Sequence, residues 1–211
     1  IGLVKNNNHF TNHDLRRVVI ELLEQRGVTL QAIAQVVYDI QHAFYPELTL
    51  ELCLESVEAV IDKREVQHVL LTGIALDMAA EAGNLPEPLL SILRDDNLLY
   101  GVDEVLALGI TNVYGSIGLT NFGYLDKQKI GIIGELNSRR QPGRVHTFLD
   151  DLVAGVAAAA AARLAHALPD KLSEADLALP PEGRDRGQQA AGGPVGDGTV
   201  AGGAVSRDAL P

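Results

Sequence analysis

One segment constrains the fold more than any other. Residues 145–166, VHTFLDDLVAGVAAAAAARLAH, place six consecutive alanines behind two adjacent aspartates. Alanine has the highest helix propensity of any residue, and a helix surfaced with Ala and Gly lets neighbouring backbones approach more closely than one surfaced with Leu. Leu152, Val153 and Val156 make the segment too apolar for a solvated helix, so it belongs at the centre of a bundle. No segment of any length alternates apolar and polar residues with a strand's period of two. The sequence therefore predicts an all-α chain: a multihelical bundle with one central small-residue helix, about 145–167, surrounded by five or six others. Aromatic residues are only 4% of the chain and tryptophan is absent, which leaves packing to Leu, Val, Ile and Ala and disfavours a β-sandwich.

The surrounding helices follow from periodicity and punctuation. Thr11-Asn12 caps a helix to about Gln25, with Leu15, Val18, Val19, Leu22 and Leu23 on one stripe and Gly27 as its stop. Thr29 caps the next, and Pro46 ends that stretch. The run from Thr49 to Gly83 is too long for one typical helix and divides near Asp62-Lys63 into about 50–61 and 64–82. Short helices are expected from Pro86 to about Leu93 and from Gly101 to about Asn112. Residues 169–211 hold eight glycines, five prolines and no aromatic residue, a composition that buries too little apolar surface to offset chain entropy. The organisation expected is a 1–10 extension, an 11–168 helical domain and a disordered 169–211 tail.

Formal net charge is -11. Such a surface repels phosphate backbones, and no basic patch counters it, so nucleic acid is not an expected partner. An acidic protein still binds anionic substrates when a divalent cation sits between them. Cys53 is the single cysteine and lies among leucines, which excludes an internal disulfide and a cysteine-rich metal site. No signal peptide is visible, and the run Leu152–Ala162 is shorter than the roughly 20 residues that a bilayer requires. The expected location is cytoplasmic, peripheral to the membrane at most. Apolar residues on both faces of 64–82 suggest a homo-oligomer.

Chemistry concentrates around two features. Residues 112–144 contain six glycines and no clear helical period, so they read as a long connection of the kind that serves as a binding loop. Gly backbone amides approach anions closely, and Asp126, Lys127, Lys129, Arg139, Arg140 and Arg144 lie among them. The second feature is acidic. Asp103-Glu104 occupies a first helical turn, where the helix dipole alone favours acids. Asp150-Asp151 is expected in the second turn of an apolar helix, with His146 and Thr147 four residues before each. Adjacent helical residues point about 100° apart, so the two aspartates are not expected to face the same water. Unpaired buried carboxylates are expensive, which calls for a cation there.

The stretches YGSIGLTNFGYLDKQKIGIIGEL and HTFLDDLVAGVAAAAAARLAH resemble the phosphatidylglycerophosphatase A family, in a short branch without membrane segments, and the likeness covers about Asp14 to His166. Gly115, Ser116 and Gly118 look like the family's Gly-Ser-Gly element. Gly131 and Gly134 are similar to its Pro-Gly-Thr-x-Gly-Ser element, with Ile130, Ile132 and Glu135 departing from it. Asp150-Asp151 and Gly155 resemble its acid pair and helical glycine. The resemblance implies a helical bundle around one central helix and Mg²⁺-dependent removal of the terminal phosphate from phosphatidylglycerophosphate, giving phosphatidylglycerol in glycerophospholipid metabolism.

The expectation that results is a metal-dependent phosphomonoesterase acting on a phosphorylated small molecule or lipid head group. Asp150 and Asp151, with Asp103 and Asp126, would hold Mg²⁺ or Mn²⁺. Gly115, Ser116, Gly118, Lys127, Arg144 and Thr147 would bind phosphate, and His146 would serve as acid or base. Two other readings fit the sequence. His13-Asp14 and the glutamates 51, 55 and 58 suggest an all-α metal-dependent nucleotide hydrolase. A non-enzymatic oligomerisation or regulatory module would instead use Asp150-Asp151 in salt bridges.

Overall fold

The structure is a computed structural model that describes residues 10–138 and 143–178, with side chains through Ala167. Among the described residues the chain is helical and has no strand. Three helices open on threonine caps: α1 (Asn12–Gln25), α2 (Leu30–Gln41) and α3 (Leu50–Ile61), whose first turns donate to Thr11, Thr29 and Thr49. α1 closes a full capping box, because Asp14 also accepts from the Thr11 amide and hydroxyl. The Asp14 carboxylate of the His13-Asp14 pair is thus engaged in capping α1. α4 (Arg64–Glu81) and α6 (Val102–Thr111) lie where periodicity put them, and a shorter α5 (Leu89–Arg94) sits between them.

The central element is α9 (Leu149–Ala178). From Leu149 to Ala162 every residue is buried, and α2, α3, α4, α6, α7 and α8 all pack on it. Such enclosure is what small side chains permit. A Cβ on Gly155 would stand 3.1 Å from the Ala107 carbonyl oxygen, so α6 rides directly on the α9 backbone. The helix start and end differ from expectation. α9 begins at Leu149 rather than Val145, and it continues to Ala178 rather than stopping near Ala167; residues 179–211 lie outside the described residues, as do 1–9.

The largest departure is in residues 112–144. In place of a long loop, a 3₁₀ turn (Asn112–Tyr114) leads into α7 (Gly115–Gln128) and α8 (Ile132–Ser138). Glycine costs about 1 kcal/mol in a helix interior, which hid these helices from periodicity. Packing outweighs that penalty, since Phe122, Leu125, Ile133 and Leu136 enter the common core. Cys53 is buried in that core, and burial pushes its thiol up to about 11.

A helix enclosed this completely cannot leave its first amides to water. Asp77, fully buried on α4, takes them: Phe148 N donates to Oδ1 and Leu149 N to Oδ2, each at 3.1 Å. Burial pushes the Asp77 carboxyl up to about 8, against the pull of these amides and of Arg26. Asp77→Ala is expected to lower stability by about 2–6 kcal/mol in a urea titration, because two buried donors lose their acceptor at roughly 1–3 kcal/mol each. The raised pKa means that the folded state holds a proton here which the unfolded chain releases near pH ~4. Its contribution therefore weakens as pH rises from about 4 to about 8. Asp77→Asn should flatten that part of the Tm-versus-pH curve.

Candidate metal and phosphate site

The first turn of α9 opens into a cleft of about 410 Å³. Asp96, Asp103, Glu104, Asp126, Asp150 and Asp151 line it, and Lys129 is the one basic residue among its lining. Lys129 Nζ lies 2.8 Å from Asp126 Oδ1 and 3.0 Å from both Asp150 Oδ2 and Asp151 Oδ1. Three carboxylates thus converge on one ammonium. Both α9 aspartates reach it even though helical neighbours diverge by about 100°, because the amine sits between their two directions beyond the helix start. The expectation that they would face apart is corrected.

Local chain geometry aims Lys129 at this point. It is the residue after α7, with φ 47° and ψ 51°, and its amide closes the helix on the Leu125 carbonyl at 2.7 Å. A left-handed lysine costs about 1–2 kcal/mol, and the ion pairs hold it there. The chain then turns so tightly into α8 that a Cβ on Gly134 would stand 2.0 Å from the Lys129 carbonyl oxygen. Only a glycine fits that contact.

Charge and burial act against each other throughout the cluster. Asp150 and Asp151 are 6% and 4% exposed. Burial raises Asp150 to about 6, with Lys129 opposing and Asp96 adding to the rise. Asp151 is likewise raised, first by burial and then by the charge of Asp150, with Lys129 again opposing. Asp103 is raised by burial and Asp96. Burial alone would lower the lysine, yet Asp150, Asp126 and Asp151 hold its pKa well above the usual range. The cleft lining thus holds six acids against one base.

Other sequence-predicted residues fall elsewhere. Gly115, Ser116 and Gly118 open α7, about 20 Å along its axis from Lys129 at 1.5 Å per residue, and do not line the cleft. Lys127 is exposed and also outside it. Thr147 lines the cleft, but its hydroxyl donates to the Leu93 carbonyl at 2.6 Å. Because α9 starts at Leu149, His146 and Thr147 precede the helix and share no helical face with the aspartates.

Arg144 and His146 belong to a different cluster. The Arg26 side chain, 2% exposed, pairs with Glu81 at 2.8 Å and also donates to the Val145 carbonyl. Arg144 lies 3.6 Å from the same Glu81, and His146 Nδ1 is 3.4 Å from the Arg26 guanidinium. Burial and then Arg26 hold His146 below its ordinary pKa. Arg144, Arg26 and Glu81 line a larger cleft of about 600 Å³, which lacks an acid cluster. The convergent acids lie in the smaller cleft.

Two residues escaped the sequence reading. Lys129 was visible only as one charge among several, and Lys127 took its place. Asp77 left a clearer trace: an acid between Ile74 and Ala80 on the buried stripe of α4. Lys129→Met is expected to cost about 2 kcal/mol near pH 8 and clearly less near pH 5, where protonation relieves the stranded carboxylates. Denaturant midpoints at the two pH values check this.

The sequence profile of phosphatidylglycerophosphatase A matches residues 19–166. The chain is 51% identical to the uncharacterized protein YpjQ of Bacillus subtilis (strain 168) over 165 residues, 78% of this chain and 92% of YpjQ. It is 51% identical to the uncharacterized protein YutG of the same organism over 144 residues, 68% and 86% of the two chains. The crystal structure of Bacillus subtilis ypjQ superposes with a TM-score of 0.73, covering 77% of this chain and 99% of that one. That of the low temperature requirement C protein from Listeria monocytogenes gives the same score at 51% identity, covering 76% and 100%. With the profile spanning both the acid cluster and the buried helix that carries it, the chain belongs to the phosphatidylglycerophosphatase A family.

Proposed function

We propose that the chain is a metal-assisted phosphomonoesterase, with phosphatidylglycerophosphate as the substrate that its family membership favours. The observation that carries this reading is the convergence of Asp126, Asp150 and Asp151 on one point in a cleft with six acids and one base. The donor set suits a hard divalent cation, being all oxygen. Among the described residues no group of three or more His, Cys, Asp or Glu side chains is arranged to hold a metal ion, and the Lys129 ammonium occupies the point on which Asp126, Asp150 and Asp151 converge. Asp126, Asp150 and Asp151 would hold Mg²⁺ once that amine moves aside. The ion would offset phosphate charge and activate water.

The chain's own groups then divide the work. Lys129, released from the carboxylates, binds a phosphate oxygen as a compact point charge on a flexible stem. Asp103, on the first turn of α6 and lining the same cleft, serves in this reading as the acid that protonates the leaving oxygen. Water oxygen bonds to phosphorus as the P–O ester bond breaks; the leaving alkoxide takes the Asp103 proton, and the proton released by the attacking water returns to the Asp103 carboxylate.

Phosphate release from phosphatidylglycerophosphate, measured with and without Mg²⁺, tests the reading. Wild type should require the ion, and Asp151→Asn should lose about 10²–10³ in kcat, as removal of a key electrostatic stabiliser does. Equal rates in both proteins refute the role of Asp151. A second reading follows from Lys129 itself: the three ion pairs could close the cluster as a purely structural lock in a non-enzymatic module. Calorimetric titration separates the two, because a structural lock takes up no Mg²⁺ or Mn²⁺.

A further inference from the structure

From Leu152 to Ala162 every residue of α9 is apolar and buried. Such a stretch has no polar stripe whose exposure would fix the rotation of the helix about its own axis. Rotation matters at the helix start, because one residue's step turns a side chain by about 100°. Asp150 and Asp151 nonetheless each lie 3.0 Å from the same Lys129 ammonium. Directional contacts at the helix start are suited to set that rotation.

Those contacts fall on the residues that lead into α9. Asp77 and Glu81 stand four apart on α4 and share a face. Glu81 Oε1 accepts from the Val145 amide at 2.9 Å, and Asp77 accepts from the amides of Phe148 and Leu149, one on each oxygen. Arg26, at the end of α1, donates to the Val145 carbonyl and, at 2.8 Å, to the same Glu81 oxygen. Val145 is thus gripped at both its amide and its carbonyl. The next carbonyl, that of His146, accepts from the Asp150 amide at 3.4 Å. None of the three gripping side chains lines the acidic cleft.

We propose that Arg26, Asp77 and Glu81 are positioning residues for the acid pair: their hold on residues 145–149 sets the turn of α9 at which Asp150 and Asp151 both reach Lys129. Their effect on hydrolysis rests on the phosphomonoesterase reading; their effect on the ion pairs stands without it. A double-mutant cycle on the full chain tests the ion pairs. Substitutions that share no partner normally add in stability, and the Lys129 ammonium is held by Asp126, Asp150 and Asp151, a set apart from the grip on Val145. Arg26→Met/Glu81→Met releases Val145 and removes both charges together, so neither is stranded. Near pH 8, the shift in urea midpoint caused by Lys129→Met should be clearly smaller in this background than in wild type, because the carboxylates no longer converge on the amine. In the Glu81→Gln background the shift should keep its full size, since the amide oxygen still accepts from Val145 and Arg26. An undiminished shift in the released background overturns the proposal. Should that variant not fold, Asp77→Asn replaces it with the same expectation, because its amide nitrogen sets a donor against one of the two backbone donors.

Phosphate release from phosphatidylglycerophosphate with Mg²⁺ gives the second readout, taken where each variant is folded. The released variant should lose about ten- to hundredfold in kcat, the range that a displacement of about 1 Å produces, and Glu81→Gln should stay close to wild type. A merely structural role would leave kcat per folded molecule unchanged, and that result also overturns the proposal. If wild type releases no phosphate, the phosphomonoesterase reading fails, and the midpoint shifts still decide the positioning.

Discussion

Enclosure of α9 from Leu149 to Ala162 is the constraint on which its start depends. Amides buried at a helix start must find acceptors inside the protein. Asp77 meets the amides of Phe148 and Leu149, and the positive end of the helix dipole favours the charges of Asp150 and Asp151 one step further on. Those carboxylates are themselves buried, and burial penalises charge. Lys129 answers them from α7, together with Asp126. Each link corrects the electrostatic deficit of the one before it.

The chain of compensations ends in an excess of acids over bases. Buried ion pairs gain from mutual attraction only when geometry and further hydrogen bonds offset desolvation. Here the cleft lining keeps six acids for one base. Strain points to the same place: among the described residues Asp96, Leu99 and Lys129 are the non-glycine residues with positive φ, and all three line this cleft. Left-handed non-glycine residues persist where surrounding contacts over-determine them, and they gather at functional sites. The second polar cluster, Arg26 with Glu81 and Arg144, has paired charges and lacks such strain.

Family membership bears on the core of this arrangement more than on its periphery. Gly155, matched to the family's helical glycine, has a packing role against Ala107. Gly134 has a positioning role, because its missing Cβ lets α8 close on the Lys129 carbonyl. Gly115, Ser116 and Gly118 resemble the phosphate-loop element in sequence, yet here they begin a helix whose other end supplies Lys129. These residues themselves do not line the cleft.

Sequence by itself determined the all-α class, the small-residue centre and the extents of α1 to α4 and α6, because apolar period and terminal caps are local properties. It also marked Asp103, Asp126, Asp150 and Asp151 as the acids of interest, all of which line one cleft. It misread 112–144, where packing of Phe122, Leu125, Ile133 and Leu136 overrides the low helix propensity of glycine. Tertiary structure alone decided the partners. Lys129 meets Asp150 and Asp151 across 21 and 22 residues, and Asp77 meets Phe148 and Leu149 across 71 and 72. No local pattern encodes such pairs, since they exist only once the helices enclosing α9 have fixed where its first turn lies.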